Sequence, residues 1–125
     1  MIFGVGTDIV AIKRLGRLYE RHGERALEKL LVPSERAGFE KATDRARFLA
    51  KRFAAKEALG KALGIGVAKP ATLPNIAIVH DTLGKPSFAY APDLAQFLAE
   101  RGLSAHLSIS DEQEFALAFV VLERA

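Results

Sequence analysis

The chain contains no cysteine, which excludes disulfide stapling, thiolate metal sites and a cysteine nucleophile. The compartment stays open on that ground, since a cysteine-free protein can work anywhere. Long apolar runs are also missing. The longest, Phe115 to Leu122, is eight residues, far short of the ~20 that a membrane-spanning helix needs. The opening segment, Met1 to Val10, has no basic stretch, and Asp8 interrupts its apolar character. A signal peptide is therefore not expected, and the chain reads as a soluble cytoplasmic protein with no membrane partner. There is no internal repeat, linker or low-complexity tract. What remains, at 125 residues with 50% apolar and 26% charged side chains, is ordinary globular composition and a single domain spanning 1–125.

The charge is unevenly placed. Residues 1–69 hold 15 lysines and arginines against 8 acids, net +7, while residues 70–125 hold 3 against 7, net −4. A basic N-terminal half implies either an acidic partner (nucleic acid, a phosphorylated small molecule or an acidic protein) or a solvated basic face.

Hydrophobic periodicity predicts the elements. Ile2 to Val10 reads as a strand thinned by Gly4 and Gly6. From Ile12 the period becomes helical, with Ile12, Leu15, Leu18 and Tyr19 on one stripe and Arg14, Arg17 and Arg21 on another face. Gly23 breaks this helix, Glu24 to Leu31 resumes it, and Pro33-Ser34-Glu35 starts another, with Ser34 as cap, running to about Lys41. Thr43 is expected to cap the longest helix, Asp44 to Leu63, whose core stripe holds Phe48, Leu49, Ala55, Leu59 and Leu63. Gly64 ends it in the left-handed geometry that glycine favours. Asn75–His80 and Ser87–Tyr90 form a hairpin around Asp81-Thr82-Leu83-Gly84. A short helix, Asp93–Arg101, precedes two strands, Ser104–Ser110 and Phe115–Leu122, the second expected to be buried on both faces. The fold class is α+β, a mainly antiparallel sheet packed with helices.

Three places can carry chemistry. Asp8 is an acid in an apolar strand, costly to bury unless paired or bound to metal. Glu57 and Lys61 lie at i, i+4 on the long helix, either a surface ion pair or part of a site. Gly64 and Gly66 follow, where a ligand can approach the backbone closely. A helix C-terminus disfavours anions, so phosphate binding there needs Arg52, Lys56 and Lys61 as cations. His106 with Ser108 and Ser110 shares a strand face. The glycines match neither a Walker A loop nor a dinucleotide fingerprint, and Ser110 has no nucleophile-elbow context.

Two segments together, Phe3-Gly4-Val5-Gly6-Thr7-Asp8-Ile9-Val10 with Lys13-Arg14 after it, and Arg52-Phe53-Ala54-Ala55-Lys56-Glu57-Ala58-Leu59-Gly60-Lys61-Ala62-Leu63-Gly64, resemble the signature pair of the holo-[acyl-carrier-protein] synthases, small homotrimeric 4′-phosphopantetheinyl transferases. The likeness spans essentially the whole chain, with Gly84-Lys85-Pro86 and Ser108-Ile109-Ser110 also fitting.

The resemblance implies the 4′-phosphopantetheinyl transferase fold and a reaction of fatty acid biosynthesis. Phosphopantetheine passes from coenzyme A to a serine of apo-acyl carrier protein, leaving adenosine 3′,5′-bisphosphate. It implies that Asp8 and Glu57 hold one Mg²⁺ beside the pyrophosphate, a cation that takes few carboxylates and keeps waters and phosphate oxygens. Lys61 would stabilise the departing phosphate. Glu57, a metal-bound water or His106 could each take the serine proton; the resemblance favours Glu57, directly or through water, with His106 and Ser108 near the phosphates. Arg52 would meet a nucleotide phosphate, Gly64 and Gly66 would admit the cofactor, and Lys85 and Pro86 would lie against adenine. Many relatives read Ser-His where this chain reads Ser110-Asp111, so no role for a histidine at 111 carries over.

The family's trimers build each site between neighbouring subunits, which would bury apolar surface on the last strands. Arg14, Arg17, Arg21 and Arg25 would meet the acidic carrier. A nucleic-acid-binding module is one competing class; the absence of an aromatic stacking platform, and two acids that would repel phosphate without a metal, argue against it. A non-catalytic structural trimer or a degenerate synthase is the other, against which the intact Asp8, Glu57 and Lys61 argue, and a transferase acting on a polyketide or peptide synthetase carrier is a nearer competitor.

Overall fold

A computed structural model describes residues 1–125. Two antiparallel sheets carry the chain. The larger has strand order β1 (Ile2–Ala11), β5 (Phe115–Arg124), β4 (Leu103–Asp111), and the smaller is the hairpin β2 (Ile76–His80) with β3 (Pro86–Tyr90). The helices are α1 (Ile12–His22), α2 (Glu24–Leu30), α3 (Arg36–Lys41), α4 (Arg45–Leu63) and α5 (Pro92–Glu100), with 3₁₀ turns at Pro33–Glu35 and Leu73–Asn75. The α+β class and every predicted element are present.

The position of α4 decides the rest. It lies across one face of the larger sheet, with Leu49, Ala54, Ala55, Ala58, Leu59 and Ala62 all buried. A helix with this many buried positions packs as the central element of the domain. On the sheet side it meets Ala116, Ala118, Val120 and Leu122 of β5, all fully buried. The contact with β1 is closer still. A Cβ added at Gly4 would stand 2.2 Å from the Ala62 carbonyl oxygen, and one at Gly6 2.1 Å from that of Ala58. Strand and helix backbones therefore touch directly, which only glycine on the strand allows. Asp8 follows two residues after Gly6, on the same face of β1.

Three local expectations are corrected. Thr43 does not cap α4; the cap is Asp44, whose side chain accepts from the Arg47 N–H at 3.0 Å. Ser34 caps nothing at Pro33–Glu35; the Glu35 carboxylate instead reaches back to the Val32 N–H at 3.0 Å. Finally, β5 is not buried on both faces. Its burial alternates along the strand, and Phe115, Leu117 and Phe119 are exposed. The unbroken apolar run resembles a doubly covered strand, yet α4 covers only one side of this sheet. Phe3, Val5 and Ile9 of β1 extend the exposed apolar face.

Gly64 ends α4 at φ +83 and Gly23 separates α1 from α2 at φ +54, conformations in which a Cβ would be strained.

Candidate active site

At the β1–α4 contact, the Lys61 ammonium donates to Asp8 Oδ1 at 3.1 Å. The ion pair that forms is thus between strand and helix, rather than the Glu57–Lys61 pair that helical spacing alone permits. The Asp8 side chain is 15 % exposed and that of Lys61 52 %, so the pair sits at the mouth of the contact. Glu57, half-buried one turn before Lys61, is pushed above its ordinary value by burial and by the neighbouring charge of Asp8, with Lys61 and Arg14 pulling the other way. A second carboxylate close enough for the Asp8 charge to disfavour its ionisation makes this a place that attracts a cation. No group of three or more His, Cys, Asp or Glu side chains is arranged to hold a metal, so protein ligation would stop at these two acids. That donor set fits a hard cation that keeps waters and phosphate oxygens in its shell.

Gly64 and Gly66 lie just beyond Lys61, at φ +83 and +69, and nothing stands within 4 Å of a Cβ built on either. Their outer side is open to a ligand. The Gly66 N–H returns to the Gly60 carbonyl at 3.0 Å, which folds this loop against the end of α4.

On the other flank, Arg14 of α1 stands 5.3 Å over the Phe53 ring and lies within electrostatic reach of Glu57. Arg14, Arg17 and Arg21 with Leu18 line a cavity of about 240 Å³. Next to it, Arg25, His22 and Lys29 rim one of about 260 Å³ floored by Leu18, Ala26 and Leu30. The basic face of α1 thus runs directly up to the carboxylates.

The remaining sequence candidates lie elsewhere in the chain. Arg52 faces away from Lys61, as two residues nine apart on a helix must. Its Nη1 donates to Glu35 Oε2 at 2.7 Å and to the Ile78 carbonyl at 2.6 Å. Lys85 and Pro86 sit at the turn end of the β2–β3 hairpin, Pro86 paired with His80. His106 and Ser108 occupy the outer face of β4, opposite the sheet face that carries Asp8; His106 Nε2 lies 2.9 Å from Glu123 Oε1. Asp111, at the end of β4, accepts from Arg47 Nη1 at 2.8 Å, and Arg47 also donates to the Glu112 carbonyl at 2.6 Å.

Lys56 is withdrawn from the phosphate-binding candidates. It is fully buried and donates to Glu35 Oε1 and to the Leu30 carbonyl, both at 2.7 Å. Burial depresses the Lys56 ammonium, with Glu35 opposing. Burial would raise the Glu35 carboxyl, but Lys56 and the N–H groups of Ile78 and Val32 outweigh it and hold it low. This ionic cluster escaped sequence reasoning. A signal existed: Lys56 sits at the centre of the stripe Leu49, Leu59, Leu63, where a cation has to find a buried acid.

Comparison with known proteins supplies the family. The 4′-phosphopantetheinyl transferase superfamily model matches residues 4–120. A protein named holo-[acyl-carrier-protein] synthase from Dechloromonas aromatica is 62% identical over 100% of both chains. The crystal structure of a holo-[acyl-carrier-protein] synthase from Neisseria meningitidis superposes with a TM-score of 0.95 at 48% identity, covering 99% of this chain and 100% of that one. A synthase from Bacillus anthracis, solved in complex with CoA (3′,5′-ADP), gives 0.83 at 35% identity, covering 100% and 99%.

Proposed function

The chain belongs to the 4′-phosphopantetheinyl transferase superfamily, and we propose that its Asp8–Glu57–Lys61 cluster carries the transfer for which its holo-[acyl-carrier-protein] synthase relatives are named. The reaction moves 4′-phosphopantetheine from coenzyme A to a serine hydroxyl of apo-acyl carrier protein and leaves adenosine 3′,5′-bisphosphate. The observation that carries the reading is the meeting of a strand carboxylate, a helix carboxylate and a lysine beside a basic helix.

The residues divide the work. The serine oxygen attacks the phosphorus next to pantetheine and the bond to the bridging pyrophosphate oxygen breaks. Glu57 takes the serine proton, directly or through water; its raised pKa brings it nearer the operating range of a general base. Lys61 donates to the departing phosphate and offsets its growing charge. Asp8 and Glu57 would hold Mg²⁺. The ion, when bound, neutralises and orients the pyrophosphate. Gly64 and Gly66 leave room for the cofactor, Arg52 takes a nucleotide phosphate, and Lys85 and Pro86 lie against adenine.

The site needs a second copy. His106 and Ser108 lie across the sheet from Asp8, so one coenzyme A can touch both sets only if another protomer packs on the open face. That face presents Val5, Ile9, Leu117 and Phe119, an exposed apolar patch that suits burial between copies. A homotrimer with sites between subunits accounts for both facts. Arg14, Arg17, Arg21 and Arg25 steer the acidic carrier to the serine-accepting side. A cytoplasmic location fits these water-soluble reactants; no helix is long and apolar enough to cross a membrane.

Intact-mass spectrometry of an apo-acyl carrier protein incubated with the protein, coenzyme A and Mg²⁺ tests the reading. The carrier should gain one phosphopantetheine group, and the gain should vanish with Glu57→Ala or a chelator. A gain that survives Glu57→Ala would remove Glu57 from the mechanism.

A further inference from the structure

A buried carboxylate, Glu35, serves two cations. Glu35, 4 % exposed, binds Lys56 through Oε1 and Arg52 through Oε2, each at 2.7 Å. The N–H groups of Val32 and Ile78 take its remaining acceptor capacity at 3.0 Å. Lys56 alone would balance Glu35, so the cluster carries one positive charge in excess. That excess sits on Arg52, whose side chain still reaches solvent, where an anion can meet it.

The excess charge is held in a fixed direction. Besides its two Nη1 bonds, the Arg52 guanidinium lies 4.3 Å over the Phe48 ring. Its Nη2 and Nε make no hydrogen bond within the chain. Arg52 shares a cavity of about 70 Å³ with Phe48, Lys51, Ile78, His80 and Ile109. An arginine recognises phosphate with a planar fork, and a fork anchored by one nitrogen presents the others ready oriented.

We infer that Glu35 is a positioning residue for nucleotide recognition, holding Arg52 so that its free edge reads the 3′-phosphate of coenzyme A. The inference rests on the reading of Arg52 as a phosphate contact given above. The choice of phosphate follows from position. Arg52 and Lys61 lie about 13 Å apart along α4 and on opposite sides of it. With the pyrophosphate at Lys61, the 3′-monoester is the only phosphate of coenzyme A left for Arg52. The cavity also adjoins the hairpin expected against adenine, since His80 in its wall pairs with Pro86.

The test is the preference for coenzyme A over 3′-dephospho-coenzyme A, measured as the ratio of kcat/KM values. Arg52→Gln should cut that preference about tenfold, the loss of one charge-assisted contact. Glu35→Gln alone would strand Lys56 as an unpaired buried charge, so it is combined with Lys56→Met, which leaves the cluster's net charge as it was. The double variant should lose the preference as Arg52→Gln does, while Lys56→Met alone, with Glu35 still on Arg52, should keep it. Calorimetric binding of adenosine 3′,5′-bisphosphate against adenosine 5′-monophosphate should give the same ordering without turnover. If Arg52→Gln cuts the preference and the double variant keeps it, Glu35 is structural and the inference fails. If Arg52→Gln itself keeps the preference, the reading of Arg52 fails and takes the inference with it.

Discussion

Gly6→Ala is a one-carbon change with a calculable consequence. The added Cβ would lie 2.1 Å from the Ala58 carbonyl oxygen and 2.6 Å from the Ala62 nitrogen, both backbone atoms of α4. Neither can rotate aside, so β1 and α4 must part by at least about 1 Å in an interior packed at crystal density. Overpacking of this kind costs about 1–3 kcal/mol, or roughly 4–12 °C in Tm for a domain of this length. Asp8 rides on the displaced strand and Lys61 stays on the helix, so their 3.1 Å contact opens. A displacement of about 1 Å at a reacting centre costs on the order of a hundredfold in rate. The assay pairs thermal unfolding with carrier modification at a temperature where the variant is folded. Gly102→Ala serves as the control. It sits at φ +63 with nothing within 4 Å of its Cβ, so it carries about 1–2 kcal/mol of left-handed strain and leaves Asp8 in place. It should lose Tm and keep its rate. A Gly6→Ala protein whose kcat/KM stays within about twofold of the parent would refute the claim that this contact sets the site's geometry.

Three further outcomes follow from the same geometry. Because the Glu57 pKa is raised above its ordinary 4.5, its contribution to stability is fully present below that value and is lost as pH rises through the folded-state value. Glu57→Gln should therefore hold or raise Tm at pH 7 while transfer collapses, and a clear fall in Tm would contradict it. Parent activity should also decline on acidification as Glu57 takes up its proton. Arg17→Ala and Arg21→Ala should raise the KM for the carrier several-fold at low salt and much less at high salt, where exposed charges are screened beyond ~8 Å or less; equal damage to the KM for coenzyme A would make α1 a structural element. Inactive Asp8→Asn and His106→Ala proteins, unfolded and refolded together, should recover roughly a quarter of parental activity if each site draws on two copies. No recovery would mean that each copy holds a complete site.

Local pattern carried most of the fold because most of its elements have one choice. The Ile12, Leu15, Leu18 stripe has helical period, and Gly23 and Gly64 stand where their positive φ values demand glycine. The failures come where two elements compete to explain one residue. Thr43 and Asp44 both precede α4, and the choice of cap depends on where the Arg47 N–H points. Phe115 to Leu122 is apolar throughout, and nothing in the run distinguishes a face covered within the chain from one left open. Lys56 reads as a phosphate-binding cation because a helix C-terminus needs side-chain charge to hold an anion; the neighbouring positions Leu49 and Leu59 already place it inside, but its counter-charge, Glu35, lies 21 residues away.

Asp8, Glu57 and Lys61 were legible as separate candidates, their meeting only through resemblance, and the reason is geometric. Asp8 and Lys61 are 53 residues apart, and no periodicity links a strand to a helix formed half a chain later. What joins them is the glycine-to-alanine contact between β1 and α4, and a glycine in a strand reads equally well as a bulge or a weak point. The same contact explains why the predicted set divides. β1 presents Asp8 to the helix side, and pleating sends the alternate residues Val5, Thr7 and Ile9 to the other side, where register aligns them with Val121, Phe119 and Leu117 of β5 and, beyond, with His106, Ser108 and Ser110 of β4. One sheet thus separates the face that carries Asp8 from an apolar face that carries its own polar residues. A chain that needed only the first would have no reason to leave the second uncovered, and in the proposed homotrimer that second face is where one copy would complete the site of the next.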